Sequence, residues 1–185
     1  MNTKGLIILI GAIMLFSATA HAQKVVTEGS GGTIKVIIDA SGISHTTVKK
    51  VLTTKATSIT SVPVNDITDL ASQKSNEMVY KKFEVSKVDN STRVYWLDAI
   101  NLCANLTYNG STGWRMPTQR ELMLILVLHN DLKALGTIFS PFILGGYWSS
   151  TEITSTVSMY VSFATGYTGD LGKIASTRVR CVRDI

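Results

Sequence analysis

The chain is predicted to be an α+β protein in which a β-rich N-terminal extension precedes a compact, disulfide-closed domain. Three observations predict it. Apolar residues recur at helical spacing from Trp96 to Leu106 and again after Thr118. Val157-Ser-Met-Tyr-Val-Ser-Phe163 alternates as a half-buried strand does. Cys103 and Cys181 are the only two cysteines, and one of them falls on the first of those helices.

Residues 1–22 are expected to be a secretory signal peptide. Lys4 is followed by an apolar run from Gly5 to Phe16 and then by small residues at Ala20 and Ala22. Cleavage is expected after Ala22, with Gln23 as the mature N-terminus. No later apolar stretch is long enough to span a bilayer. The expected location is the periplasm or the bacterial cell surface.

Residues 23–76 form the extension. It is rich in Ser, Thr, Val and Ile and holds no Trp, Tyr, Phe or Cys. Thr33–Asp39 reads as a strand after the Gly29–Gly32 loop. Val48–Val64 is β-branched and polar, with Pro63 near its end. Asn65–Gln73 reads as a short helix capped by Asn65 or Asp66. The extension lacks the large apolar residues of an independent core. It is expected to dock on the following domain, to pair with another protein or to remain partly mobile.

Residues 77–185 form the compact domain, with all three tryptophans and all six tyrosines. Val79–Val85 is a predicted strand. The helix Trp96–Leu106 carries Trp96, Ile100, Cys103 and Leu106 on one face, so Cys103 points inward. Asn109-Gly110 is a turn signal. Thr118-Gln-Arg-Glu121 is a capping box: Thr118 accepts from the Glu121 amide and Glu121 reaches back to the Thr118 amide. Pro117 precedes the cap, where it breaks no helix hydrogen bond. The second helix runs from Gln119 to Leu128 or His129 and, apolar nearly all round, is expected to be deeply buried. Gly166, Gly169 and Gly172 punctuate a hairpin. Arg178–Val182 is the last strand, with Val179 and Cys181 inward and Arg178 and Arg180 on its outer face.

An even cysteine count in an exported chain points to a disulfide, and two cysteines allow one intramolecular pairing. Closing a 78-residue separation stabilises a fold by about 4–5 kcal/mol in the chain-entropy picture. The competing reading is a reactive or metal-bound thiol. It is disfavoured because no Cys-x-x-Cys or His-x-His spacing occurs and only His45 and His129 survive cleavage. No metal and no cofactor is expected. The net charge of +5 is spread along the chain, in pairs such as Lys49-Lys50 and Lys81-Lys82, so a nucleic-acid partner is not expected.

Four blocks carry a family resemblance: Trp96-x-x-Ala99-x-x-x-Cys103, Gly113-Trp114-Arg115-Met-Pro117-Thr118-x-x-Glu121-Leu122, Tyr147-Trp148-Ser-Ser-Thr151 and Val179-Arg-Cys181-Val-Arg183. In this order they resemble the bacterial Lcl C-terminal domain, over about residues 79–185. The resemblance implies a C-type-lectin-like fold: two helices flanking a small twisted antiparallel sheet, with a long loop region before the closing strands. It also implies a disulfide from the first helix to the last strand, in agreement with the pairing above. The chain departs from calcium-dependent lectins in lacking Glu-Pro-Asn, Gln-Pro-Asp and Trp-Asn-Asp. Between residues 129 and 170 its only acids are Asp131, Glu152 and Asp170. Sugar binding through calcium, which needs six to eight oxygen ligands, is therefore not expected.

An enzyme is not expected. Ser149-Ser150 lacks a Gly-x-Ser-x-Gly frame, and a formylglycine-generating activity on a related fold would need cysteines that the bridge consumes. Arg115 and Glu121 are better explained by a buried salt bridge and the cap. Candidate ligand-binding residues are Tyr160 and Tyr167, whose rings can stack on a sugar, and Arg178 and Arg180, which can receive an acidic glycan. Trp148 and Tyr147 are expected in the core. The function read from the sequence is a non-catalytic module that recognises a glycan or a surface protein. The alternative is a structural or assembly subunit of a surface or fimbrial structure, with residues 23–75 mediating subunit contacts.

Overall fold

A computed structural model describes residues 24–42, 82–90 and 92–185. The expected signal peptide, the Val48–Val64 stretch, the Asn65–Gln73 helix and residues 79–81 of the first domain strand lie outside the described residues. Within them the fold is α+β, with three α-helices and two antiparallel sheets.

The extension docks on the domain through its backbone. Strands β1 (Lys24–Glu28) and β2 (Lys35–Asp39) form a hairpin whose loop turns at Gly29 and Gly31, both at positive φ. β2 pairs on its other side with β3 (Lys82–Val85). β3 pairs with β8 (Val182–Asp184), and β8 with the two-residue β4 (Trp114–Arg115). The first sheet therefore runs β1-β2-β3-β8-β4. The expected Thr33–Asp39 strand is shorter at its start, because Gly31–Thr33 closes a 3-10 turn.

Helix α1 (Trp96–Asn105) buries Trp96, Ala99, Ile100 and Cys103, as its spacing requires. Asn109 and Gly110, both at positive φ, make a tight turn closed by the Tyr108–Ser111 bridge. Helix α2 (Gln119–Val127) starts at the Thr118 capping box. It is not buried all round: Leu122, Leu124 and Ile125 face the core, while Val127 is 66% exposed. A third helix, α3 (His129–Ala134), follows at once and anchors by Leu132. Its six residues carry too short an apolar pattern to stand out in the sequence.

The second sheet is β5 (Gly146–Glu152), β6 (Val157–Ser162) and β7 (Thr168–Gly172), in that order. It separates two cores. Tyr147, Val161 and Phe163 face the larger core, with β2, β3, α2, α3, Phe139 and Phe142. Trp148, with Tyr160 and Leu171 against it, faces the smaller core of α1, Trp114, Met116, Val179 and the cysteines. Cys103 and Cys181 are bonded, with Cα atoms 5.4 Å apart, and fasten α1 to the segment entering β8.

The Arg178–Cys181 segment is extended but is not a ladder strand. It bridges the sheets instead: Arg178 pairs with Tyr147, and the Trp148 amide donates to the Arg178 carbonyl at 2.8 Å. On the other side the Ser86 amide donates to the Cys181 carbonyl at 2.9 Å. Val179 and Cys181 face the smaller core as expected. Arg180 corrects the expectation of an outer face. Core lies on both sides of this segment, so Arg180 is turned inward and is 1% exposed.

Candidate functional site

Most residues of the sequence motifs are interior, Gly113 and Arg120 being exposed. Thr118, at the start of α2, accepts from the Glu121 amide at 3.2 Å, and the Thr118 amide donates to Glu121 Oε2 at 3.0 Å. That carboxylate also takes both Nη groups of Arg115, at 2.7 and 2.8 Å. Arg115 Nε and Nη2 reach Asp184 Oδ1 on β8, at 3.0 and 2.5 Å. The Arg115 side chain is 0% exposed. Burial alone would weaken its hold on the proton. Glu121 and then Asp184 outweigh that, and the guanidinium stays above its ordinary range. The Pro117 carbonyl accepts from the Ser150 amide at 2.8 Å and so links the cap to β5. Trp96 and Trp148 donate from their indoles to the Ser149 and Val94 carbonyls, at 2.8 and 2.9 Å. Trp114 donates to the Ser111 carbonyl at 3.0 Å. Each of these groups spends its polar capacity inside the protein.

Arg180 is committed in the same way. Its Nε donates to Asp89 Oδ1 at 2.5 Å and its Nη1 to the Ser140 carbonyl at 2.8 Å. Its guanidinium carbon lies 4.0 Å from the Phe142 ring centroid and 4.7 Å from that of Phe139. Tyr147 donates to the other oxygen of Asp89. Burial first, and then Asp89, hold the Tyr147 hydroxyl above its ordinary range. Arg180 is therefore no receptor for an acidic glycan. Nor is Lys173, which is buried over Trp96 and bonded to Glu152 and the Ser155 carbonyl.

Two of the four candidate ligand residues do meet. Tyr160 on β6 and Tyr167 before β7 pack edge to face, with ring centroids 6.1 Å apart. The hydroxyl end of the Tyr167 ring lies over Gly169: a Cβ at Gly169 would fall 2.5 Å from Tyr167 Cε1 and from its hydroxyl oxygen. Gly169 is also the cross-strand partner of Tyr160. A missing side chain thus makes a seat in which Tyr167 remains 58% exposed. Gly166, at positive φ, turns the chain into this position. On the other flank of Tyr160, Gly146 leaves room in the same manner: a Cβ there would meet Thr177 Oγ1 at 2.9 Å and Tyr160 Cδ2 at 3.1 Å.

Arg178 does not join them. Its Nη1 lies beside Gly145, and successive positions entering a strand point to opposite faces. That Nη1 is the one buried side-chain nitrogen or oxygen without a partner among the described residues.

A separate open concavity of about 450 Å³ lies at the start of α1, lined by Tyr95, Leu97, Asp98, Lys173 and Ile174. Ile174 is 82% exposed there. Sequence reasoning passed over Tyr95 and Ile174, because neither breaks a local pattern. Among the described residues no three His, Cys, Asp or Glu side chains converge to hold a metal ion. No helix among them is long and apolar enough to cross a membrane.

The architecture defines a disulfide-closed α+β module whose recognisable motifs build its interior. A model of the Lcl C-terminal domain matches residues 63–183, and the chain belongs to that family. The match starts earlier than the resemblance read from the four blocks. No curated protein matches the chain. Family and disulfide together fit an extracellular or periplasmic protein.

Proposed function

We propose that the protein is an exported, non-catalytic glycan-binding module of C-type-lectin-like fold, acting in the periplasm or at the cell surface. The observation that carries this reading is the Tyr160–Tyr167 pair, with Tyr167 held in solvent across Gly169. An aromatic face stacks on the C–H face of a sugar ring, and neighbouring hydroxyls supply hydrogen bonds. Thr165, exposed beside Tyr167, and Ser162 are placed to do so: the Thr165 hydroxyl donates to Ser162 Oγ at 3.1 Å and accepts from the Tyr167 amide at 3.3 Å. Recognition of this kind needs no calcium. The buried, paired state of Arg115, Glu121, Lys173 and Glu152 supports the non-catalytic reading, since each is already neutralised by a partner.

A glycan array probed with the exported protein tests it. Binding that survives a chelator and disappears in Tyr167→Ala is the expected result. An array with no bound glycan, or binding abolished by the chelator, overturns the reading.

The alternative of an assembly subunit retains one supporting observation. Strand β1 is the edge of the first sheet, and its outer side has no partner among the described residues.

A further inference from the structure

The edge strand β1 has a sequence that is complementary to itself. Lys24-Val-Val-Thr-Glu28 carries a base at one end, an acid at the other and valine in the middle. Pairing with β2 places Lys24 opposite Asp39 and Glu28 opposite Lys35. The next strand inward continues the alternation, with Asp39 opposite Lys82 and an ion pair of 3.5 Å between them. The row thus reads plus, minus, plus towards the edge.

We propose that β1 pairs antiparallel with β1 of a second copy about a two-fold axis through Val26, joining two five-stranded sheets into one of ten strands. In that register Lys24 of each chain faces Glu28 of the other. Each end row then alternates in sign across both chains: Lys82, Asp39 and Lys24 from one, Glu28 and Lys35 from its partner. The middle row is Ile37 and Val26 from each chain. The flanking rows place Val25 opposite Thr27. No like charges oppose each other at any position, and opposite-charge and β-branched pairs are the favourable cross-strand combinations.

The charges also select the register. Shifting the pairing by two residues takes both Lys24 and Glu28 away from their partners, and shifting it by one would oppose residues that point to different faces, because the β1–β2 ladder already fixes which side each residue takes. A parallel arrangement would put Lys24 opposite Lys24 and Glu28 opposite Glu28. The other sheet edges are less suited: β4 has two residues, β7 is broken by Gly169, Asp170 and Gly172, and the outer side of β5 already donates from Trp148 and Ser150 to the Arg178 and Pro117 carbonyls. A two-fold contact of this kind is closed. It consumes the edge of both copies and so makes a dimer, not a filament. The inference builds on the assembly reading of the extension and is independent of glycan binding.

Sedimentation equilibrium of the exported protein tests it, alone and with two charge reversals. Lys24→Glu leaves a chain with acids at both ends of β1, and Glu28→Lys leaves one with bases at both ends. Each variant alone is expected to dimerise about tenfold to hundredfold more weakly than the parent. Mixing the two restores dimers, because acid then faces base at both ends. Far-ultraviolet circular dichroism of each variant should match the parent; each reversal also meets a like charge within its own hairpin, Asp39 or Lys35, and recovery in the mixture separates that effect from the contact between copies. Val26→Cys places a thiol on the axis and is expected to cross-link chain to chain under oxidising conditions, whereas Thr33→Cys, in the adjoining loop, is not. A monomeric parent, or a dimer that neither charge reversal weakens, overturns the proposal. So does failure of the mixed variants to associate.

Discussion

The surroundings of Arg115 and the seat of Tyr167 are opposite solutions to placing a large side chain. Arg115 is fully enclosed, and its guanidinium is matched by Glu121 from α2 and Asp184 from β8. Tyr167 is held out in water, and what positions it is the absence of a side chain at Gly169. The first region is rich in local sequence signal and leaves nothing to offer a ligand. The second has almost no motif and presents an aromatic face. In this fold the recognisable residues mark the scaffold, and the surface available for binding lies where the motifs stop.

The contrast breaks most visibly at the scaffold. Replacing both cysteines by serine removes the link between α1 and the segment entering β8, and is expected to cost about 4–5 kcal/mol. Glu121→Ala removes half the capping box and takes from Arg115 the carboxylate that meets both its Nη groups. A loss of about 3–5 kcal/mol is expected, as for one partner of a buried ion pair. Urea unfolding of the exported protein reads both.

A smaller effect comes with pH. His129 packs against the side of the stacked Phe142 and Phe163 rings, with centroids 6.0 and 5.8 Å away. Burial first, and then Lys133 and Arg180, hold its imidazole below the ordinary value of 6.5. As pH falls through about 6.5 the unfolded chain takes up this proton first. The contribution of His129 is therefore complete above that pH and is lost below it, down to the depressed native value. His129→Asn should flatten this part of the stability–pH curve. An unchanged slope would show that the ring is not desolvated.

The smallest stability effect is expected at the second region. Tyr167→Ala should change unfolding by no more than about 0.5 kcal/mol, because the ring is largely exposed. The same substitution should remove binding. A large loss of stability would place Tyr167 with the scaffold and erase the contrast.

Legibility followed sequence distance. The capping box spans Thr118 to Glu121, and the Asn109-Gly110 turn is local, so both could be read directly. The disulfide followed from compartment and count. Arg180 misled because its partner, Asp89, lies 91 residues away and no local pattern announces the pair. Strand alternation gave the faces of Val179 and Cys181 correctly. It failed for Arg180 because it assumes solvent on one side. Within β6 the same assumption failed at Ser158, which is buried with its hydroxyl bonded to the Thr151 carbonyl at 2.7 Å. The aromatic character of Tyr160 and Tyr167 is legible in the sequence, whereas the packing of Tyr160 on the smaller core is not. Their contact, and the role of Gly169, depend on the pairing of β6 with β7 and could be seen only in the fold.

The central claim is that Gly169 creates a binding face by letting an aromatic ring lie across it. The most direct measurement is a glycan array of the Gly169→Ala variant beside the parent, with unfolding midpoints of both. The methyl group displaces a flexible ring, so the midpoints should agree closely while the glycans held by the parent are released. Equal binding by the two proteins would contradict the account.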